Sequence, residues 1–190
     1  MACLSEFAVD VFMPTQVLVI LGKVFQMNVR LGLHSTDREK EPQDSVKNAW
    51  VMAAITSLRG KGSWTGRIHI HKLLYVVKEL SIAHPPFEFE FYDYGPYSRE
   101  LDELIAEMEL FGDISREYPL PGYGPKYLAI NSPDDFSDID SVDRVADFFG
   151  RRSSKDLELL ATCIWVMKRE GLVDDDKIIA RVLVLKPRYD

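Results

Sequence analysis

Apolar and polar residues fall into a regular pattern from about residue 45 onward. Apolar side chains recur three and four positions apart over residues 45–60 and again over 66–80, which is the spacing of helices with one buried face. A glycine pair at 60–62 ends the first helix, and the Thr65 hydroxyl offers a cap for the second. The expected buried stripes are Val46, Trp50, Val51, Ala54, Ile55 and Leu58, then Ile68, Leu73, Leu74, Val77 and Leu80.

A short strand and a third helix come next. Residues 87–91 alternate phenylalanine with glutamate, which predicts a strand with its rings on a buried face and its carboxylates on the other. Gly95-Pro96 then turns the chain into a helix over 97–111, which ends at Gly112. The expected core stripe of this helix is Leu101, Leu104, Ile105, Met108 and Phe111.

The remaining pattern predicts a hairpin and further helices. The pattern predicts two strands, at 114–118 and 126–130, around a glycine-containing loop. It also predicts helices near 139–149, 154–170 and 175–186. Helix, helix, strand, helix and hairpin form the skeleton of a winged helix, with the hairpin as its wing. We therefore predict an α+β fold, a winged-helix-like helical domain with a short strand, a β-hairpin wing and extra C-terminal helices.

The first 44 residues are predicted to be an N-terminal extension and a polar linker, followed by the domain proper at 45–190. The longest clean apolar run, 17–21, is too short to cross a bilayer, and acidic residues precede it where a signal peptide carries basic ones. No membrane partner is expected. A weak hairpin or added helix, a partner-binding segment, and residues from an upstream start codon all remain open for this part.

Composition narrows the class of protein. The net charge is −7 and hydrophobic residues make up 46%, so the chain can build a core but gains no general attraction to nucleic acid from its overall charge. The two cysteines, Cys3 and Cys163, belong to no metal-binding or disulfide pattern, which fits a reducing cytoplasm. Cys163 lies in an apolar helical run and is expected in the core.

The third helix argues against the usual ligand of a winged helix. Between Tyr97 and Phe111 it carries one basic residue, Arg99, and five acidic ones. Such a helix would meet DNA phosphates with repulsion, whereas it suits a basic protein surface. A nucleic-acid face elsewhere stays open as the alternative, and its expected residues are Arg67, Lys72, Arg151 and Arg152.

Candidate catalytic chemistry is sparse. His69 and His71 lie two positions apart, and on a helix such residues point about 200° apart, so they are not expected to chelate one metal ion. One of them is expected at the surface and the other partly buried. No phosphate-binding loop or nucleophile elbow occurs in the sequence. We predict no enzyme, no catalytic residue, no metal and no cofactor.

Tyrosines around the Gly95-Pro96 turn give the best candidate site. Tyrosine offers a large contact area at low entropic cost and is common at interfaces. Tyr92, Gly95 and Pro96 are assigned to the turn itself, and for Tyr92 and Tyr97 an anchoring role in the core is the competing interpretation. The predicted partner-binding residues are Tyr94, Tyr97, Arg99, Glu103, Glu107 and Tyr123.

Two segments also carry a resemblance. Residues 68–75 (Ile-His-Ile-His-Lys-Leu-Leu-Tyr) and 92–98 (Tyr-Asp-Tyr-Gly-Pro-Tyr-Ser), with 154–162 and 185–187, resemble the YwgA-like proteins over 45–189. That group is similar in turn to the Panacea, or SocA-like antitoxin, domain. The resemblance implies an antitoxin-like protein that neutralises a toxin by direct contact.

Together these observations predict a noncatalytic protein-interaction module, resembling an antitoxin or an accessory factor of a toxin-antitoxin or defence system. Its partner would be a protein, for example a toxin with a basic surface. The alternative is a nucleic-acid-binding winged-helix regulator.

Overall fold

The computed structural model describes residues 43–130, 136–150 and 152–189, with side chains from residue 45. The predicted extension and linker therefore lie outside the described residues, except that Gln43 and Asp44 already belong to the first helix. The described chain divides into two compact units, one ending at Ala161 and the other beginning at Thr162.

Helices α1 (Gln43–Gly60) and α2 (Arg67–Glu79) form the centre of the first unit. The predicted stripe of α1 is confirmed from Trp50 to Leu58, and α1 packs against α2. Helix α2 departs from a one-sided pattern because nine consecutive residues, 69–77, are buried. Its polar side chains are therefore enclosed together with its apolar ones.

The start of α2 differs from the prediction. Gly66, not Thr65, precedes the first helical residue in extended conformation and makes no side-chain cap. The Thr65 hydroxyl instead donates to the Tyr127 carbonyl oxygen at 2.7 Å, and the Tyr127 amide donates to the Thr65 carbonyl oxygen at 3.1 Å. A tertiary connection to the second hairpin has replaced the local cap.

The predicted strand at 87–91 is shorter and displaced. Strand β1 (Glu90–Tyr92) pairs antiparallel with β2 (Gly95–Tyr97), with Glu90 opposite Tyr97. Phe87 and Phe89 are buried and Glu88 is exposed as the alternation predicted, although residues 87–89 are not in a strand. Gly95-Pro96, expected to be the turn, forms the returning strand, and the reversal falls at 93–94.

Helix α3 (Arg99–Phe111) begins two residues later than predicted. The Ser98 hydroxyl accepts a hydrogen bond from the Leu101 amide at 3.3 Å and so caps the helix, which leaves Tyr97 in the hairpin. Leu101, Ile105 and Met108 are buried as predicted, whereas Phe111 is 72% exposed and does not join the core. The helix ends at Gly112 with a left-handed backbone.

The second hairpin agrees with the prediction. Strands β3 (Ile114–Glu117) and β4 (Lys126–Ala129) pair antiparallel, with Arg116 opposite Tyr127. Ile114 and Tyr127 point into the core. We call this hairpin and its loop the wing, as in the sequence-based prediction.

Three α-helices and a short 3-10 helix complete the described chain. Helix α4 (Ile139–Phe149) packs against α1 and α2 within the first unit. Helix α5 (Ser154–Glu170) runs from the first unit into the second, which also holds α6 (Asp175–Leu185) and a short 3-10 helix (Pro187–Tyr189). The fold is thus mixed α+β and mostly helical, as predicted. None of the described helices is long and apolar enough to span a membrane.

Candidate functional site

Two open grooves share Arg67 and Ile68 at the start of α2. The first, of about 830 Å³, runs along the tyrosine-containing hairpin and α3, and we call it the turn groove. The second, of about 840 Å³, lies between α2 and the wing and reaches the start of α5; we call it the wing groove. All lining residues of both grooves belong to the first unit.

The turn groove is tyrosine-rich and acidic. Its three tyrosines are the ones singled out from the sequence, and five carboxylates surround them against three basic side chains. The tyrosines are Tyr92, Tyr94 and Tyr97; the carboxylates are Glu88, Glu90, Glu100, Asp102 and Glu103; the basic residues are Arg67, Lys72 and Arg99. The excess of acidic over basic side chains favours a cationic ligand.

A stacked pair forms one wall of the turn groove. The rings of His71 and Tyr97 lie 4.9 Å apart and nearly parallel. His71 Nδ1 is 2.8 Å from the Arg67 carbonyl oxygen, and its Nε2 is 3.1 Å from the Ser98 carbonyl oxygen. A neutral imidazole has one N–H and so donates to one carbonyl at a time. Burial lowers the pKa of His71, against the opposing effect of these backbone contacts.

An ion pair continues this wall. Arg67 Nη1 lies 2.5 Å from Asp102 Oδ1, and Arg67 Nε donates to the Tyr127 hydroxyl at 2.9 Å. The Tyr97 phenol lies beside the same Asp102 carboxylate. Its pKa is raised by partial burial first and by the Asp102 charge second. Arg67 therefore connects the wing, α2 and α3, and much of its hydrogen-bonding capacity is used within the protein.

The structure corrects the prediction that Lys72 belongs to a nucleic-acid-binding surface. Its side chain is 2% exposed, and its amine donates to the Pro96 carbonyl oxygen at 2.7 Å. Because α2 is enclosed over its middle turns, this lysine holds strand β2 in place and does not reach solvent. Gly95 and Pro96 are both buried, and they lie in strand β2 and not in the turn to which they were assigned.

Tyr92 does not anchor the turn in the core. Its side chain is 65% exposed and its ring contacts Tyr97 at 5.8 Å, because alternation along β1 points it outward. Tyr94 is 56% exposed, whereas Tyr97 is half-buried against His71. Two of the three rings at this turn are therefore available for contact.

The predicted partner-binding residues divide between different surfaces. Tyr94, Tyr97, Arg99 and Glu103 line the turn groove together. Glu107 is exposed one helical turn beyond Glu103 on α3, outside the groove lining. Tyr123 lies in the wing groove, so the structure does not bring it to the others.

The wing groove has the opposite character. Four aromatic and three arginine side chains line it, and no aspartate or glutamate is among its lining residues. The aromatic residues are Trp64, Tyr118, Tyr123 and Tyr127; the arginines are Arg67, Arg116 and Arg152; His69, Ser153 and Ser154 complete its polar lining.

Several cations lie over ring faces at this groove. Lys126 Nζ is 4.4 Å from the Trp64 ring centroid, and the Arg116 guanidinium is 5.7 Å from that of Tyr118. Arg116 also pairs with Glu109 at 2.8 Å. Among the described residues, no ion pair joins a carboxylate to Lys126 or Arg152, although Glu117 stands opposite Lys126 in the strand pairing. Arg152 lines the groove, and Lys126 lies beside it over the Trp64 ring.

The predicted exposure of the histidines is wrong, since His69 and His71 are both 2% exposed. The predicted divergence is confirmed: His69 lines the wing groove and His71 the turn groove. Burial lowers the pKa of His69 to about 4, so its imidazole is neutral near pH 7. Within the described part of the chain, no three potential ligand side chains cluster to hold a metal ion.

Of the predicted nucleic-acid-binding residues, Arg67 and Arg152 line the wing groove and Arg151 lies outside the described residues. Sequence reasoning missed Trp64 and Arg116 at this site. Trp64 stands between two helices without periodic context, and its ring meets Tyr123 at 5.6 Å only because the wing folds back. The sequence signal that could have indicated Trp64 is the presence of a tryptophan in a short loop between two helices.

The fold and the two grooves define a mostly helical α+β domain with two surface clefts of opposite charge. No family model matches the chain. It is 30% identical over 131 residues to the "Uncharacterized protein YwgA" of Bacillus subtilis (strain 168), an alignment covering 61% of this chain and 72% of that protein. The chain belongs to the YwgA-like family.

Proposed function

We propose that this protein is a noncatalytic interaction module of the cytoplasm that receives a basic segment of a protein partner in its turn groove. The observation that supports the proposal is the composition of that groove, where five carboxylates and three tyrosines line one cleft. Exposed tyrosines supply contact area, and carboxylates select lysine- or arginine-rich partners by charge complementarity.

The charged rim extends beyond the cleft along α3. Glu103 and Glu107 are both exposed, and among the described residues neither forms an ion pair. Glu100 pairs with Lys47 at 2.6 Å and so serves the fold as well. A partner that covers α3 would therefore meet Glu103 and Glu107 first.

The element order and the position of the wing support a winged-helix-like arrangement, with α3 as the helix that most winged helices place in a DNA groove. In this chain, the acidic face of α3 would serve a protein surface instead. We further propose a relation to the Panacea, or SocA-like, domain and an antitoxin-like role, in which occupation of the turn groove blocks a toxin or recruits an accessory factor.

A charge-reversal variant tests the proposal. The tagged wild-type protein is co-purified from its own host, the partner is identified by mass spectrometry, and its affinity is measured with purified proteins. Glu103→Lys/Glu107→Lys should weaken binding by roughly tenfold or more, because two attractive contacts become repulsive.

Glu117→Lys/Asp176→Lys is the matched control, since it changes the net charge equally at exposed positions outside the turn groove. It should bind as the wild type does. Equal loss in both variants would reduce the effect to overall charge and reject the groove as the binding site. Recovery of no protein partner, together with salt-sensitive DNA binding that Glu103→Lys/Glu107→Lys strengthens, would favour the nucleic-acid-binding regulator instead.

A further inference from the structure

We infer that the wing groove binds single-stranded nucleic acid. This inference is separate from the proposed protein contact, because it rests on the other cleft and, apart from the shared Arg67 and Ile68, on different side chains. It begins from a contrast of charge: in a chain of net charge −7, this groove is lined by three arginines and by no carboxylate.

The positive charge is partly uncommitted. Arg67 and Arg116 have carboxylate partners in Asp102 and Glu109, which reduces what they offer a ligand. Arg152 uses its Nε to donate to the Phe148 carbonyl oxygen at 3.2 Å, a contact that does not neutralise its charge. Lys126 lies beside the groove over the Trp64 ring, and with Arg152 it is the second cation that can meet the phosphates of a bound strand.

The aromatic rings of the wing groove are the reason for expecting a ligand that carries bases. Tyr118 and Tyr123 are 66% and 64% exposed on the wing, and Trp64 contacts Tyr123. Exposed aromatic rings beside arginines are the usual surface for stacking unpaired bases, whereas the carboxylates of an acidic peptide gain nothing comparable from ring faces. Bases in a duplex are stacked on each other and cannot use these rings.

The shape of the groove favours a strand over a free nucleotide. The cleft is open to solvent along one side, and the chain has no phosphate-binding loop that would enclose a single phosphate. A strand gains several weak contacts along such a cleft, whereas a mononucleotide gains one or two.

The binding test uses the full chain and a fluorescein-labelled oligothymidylate of about 15 nucleotides, within the range of single-strand binding sites. Fluorescence anisotropy is recorded over a series of salt concentrations. Competitors are a duplex of equal length, adenosine monophosphate and an oligoglutamate peptide. We expect the single strand to bind, and each competitor to require at least tenfold higher concentration for displacement.

Two variants separate stacking from charge. Tyr118→Ala/Tyr123→Ala should weaken binding by roughly tenfold or more, since each base stacked on an aromatic ring contributes about 1–3 kcal/mol. Lys126→Gln/Arg152→Gln should weaken binding and also reduce the slope of log K against log salt by about 1.4, the value for two lost phosphate contacts on a single strand.

The controls remove one exposed ring or two exposed charges outside both grooves. Phe111→Ala removes a ring that is 72% exposed at the end of α3, and Lys168→Gln/Lys177→Gln removes two exposed charges. Both should bind as the wild type does. Circular dichroism confirms that each protein is folded.

Absence of binding to the single strand overturns the inference, as does wild-type affinity in both wing-groove variants. Equal displacement by the duplex, the mononucleotide or oligoglutamate overturns it in favour of that ligand. Loss of protein partner binding in Glu103→Lys/Glu107→Lys bears on the turn groove alone, so the two proposals fail separately.

Discussion

Replacement of His69 by glutamine should flatten the dependence of stability on pH. The imidazole is 2% exposed, and its Nε2 lies 3.5 Å from the Arg152 carbonyl oxygen, too far for strong compensation of a buried charge. Burial lowers its pKa from 6.5 to about 4 in the folded protein, with the Lys126 charge acting in the same direction. Between pH 4 and pH 6.5, His69 is therefore largely protonated in the unfolded chain and largely neutral in the folded protein.

The sign and size of the effect follow from proton linkage. Stability contributed by neutral His69 is complete above pH 6.5, decreases as the pH falls through 6.5, and stops decreasing near the folded-state pKa of about 4. The full loss is on the order of 3 kcal/mol, and about 2 kcal/mol of it falls between pH 7 and pH 5. His71 acts in the same direction and remains in the variant.

Urea unfolding of wild type and His69→Gln at several pH values measures this difference. The wild type should lose about 2 kcal/mol more than the variant between pH 7 and pH 5, whatever the offset between them at neutral pH. His84→Gln is the control, because the His84 side chain is exposed, and it should follow the wild-type curve. Parallel curves for wild type and His69→Gln would refute the assignment of this pH dependence to His69.

Three further changes probe single features of the structure. Thr65→Val keeps the branched shape but removes the 2.7 Å hydrogen bond to the Tyr127 carbonyl oxygen. Urea unfolding should show a decrease of about 1–2 kcal/mol in the free energy of unfolding, and an unchanged midpoint would show that this bond does not stabilise the fold. Gly112→Ala should cost about 1 kcal/mol because its φ is +82°, whereas Gly60→Ala, with open space and no positive φ, should not destabilise; equal effects would argue against backbone strain. In a Cys3→Ser background, Cys163 should react with iodoacetamide at pH 8 roughly 100-fold more slowly in the native protein than in urea, because burial raises its pKa to about 11. Comparable rates in the two states would show that the native thiolate is accessible.

The opposite charges of the two clefts show that the net charge of the chain does not describe either surface by itself. A net charge of −7 argues against nucleic acid as an average over the whole surface. The wing groove differs from that average because Arg152, just before α5, and Arg116, on the wing, both line it, and none of its described lining residues is acidic. Charge arranged by folding decides local affinity, whereas charge counted along the chain decides only the mean field.

Local periodicity determined much of the fold. The stripes of α1 and α3, the hairpin of the wing and the bounds of α4 follow from side-chain spacing and from glycine stops, which are properties of short segments. The tyrosines near Gly95 were identified as a candidate site because turn residues and tyrosines are visible in sequence order. Ser98 caps α3 two residues beyond the predicted start because Tyr97 pairs with Glu90 in the first hairpin, a contact that helical spacing does not reveal.

Tertiary packing decided the rest. It enclosed the middle turns of α2, so that Lys72 is buried and donates to the Pro96 carbonyl oxygen, and His69 and His71 are buried as well. It gave Thr65 a partner 62 residues away in Tyr127, and it separated Tyr123 from the tyrosines of the turn because the wing lines a different groove. Sequence spacing records which face of an element is apolar, but the depth of burial and the neighbours of a polar group depend on which other elements close over it.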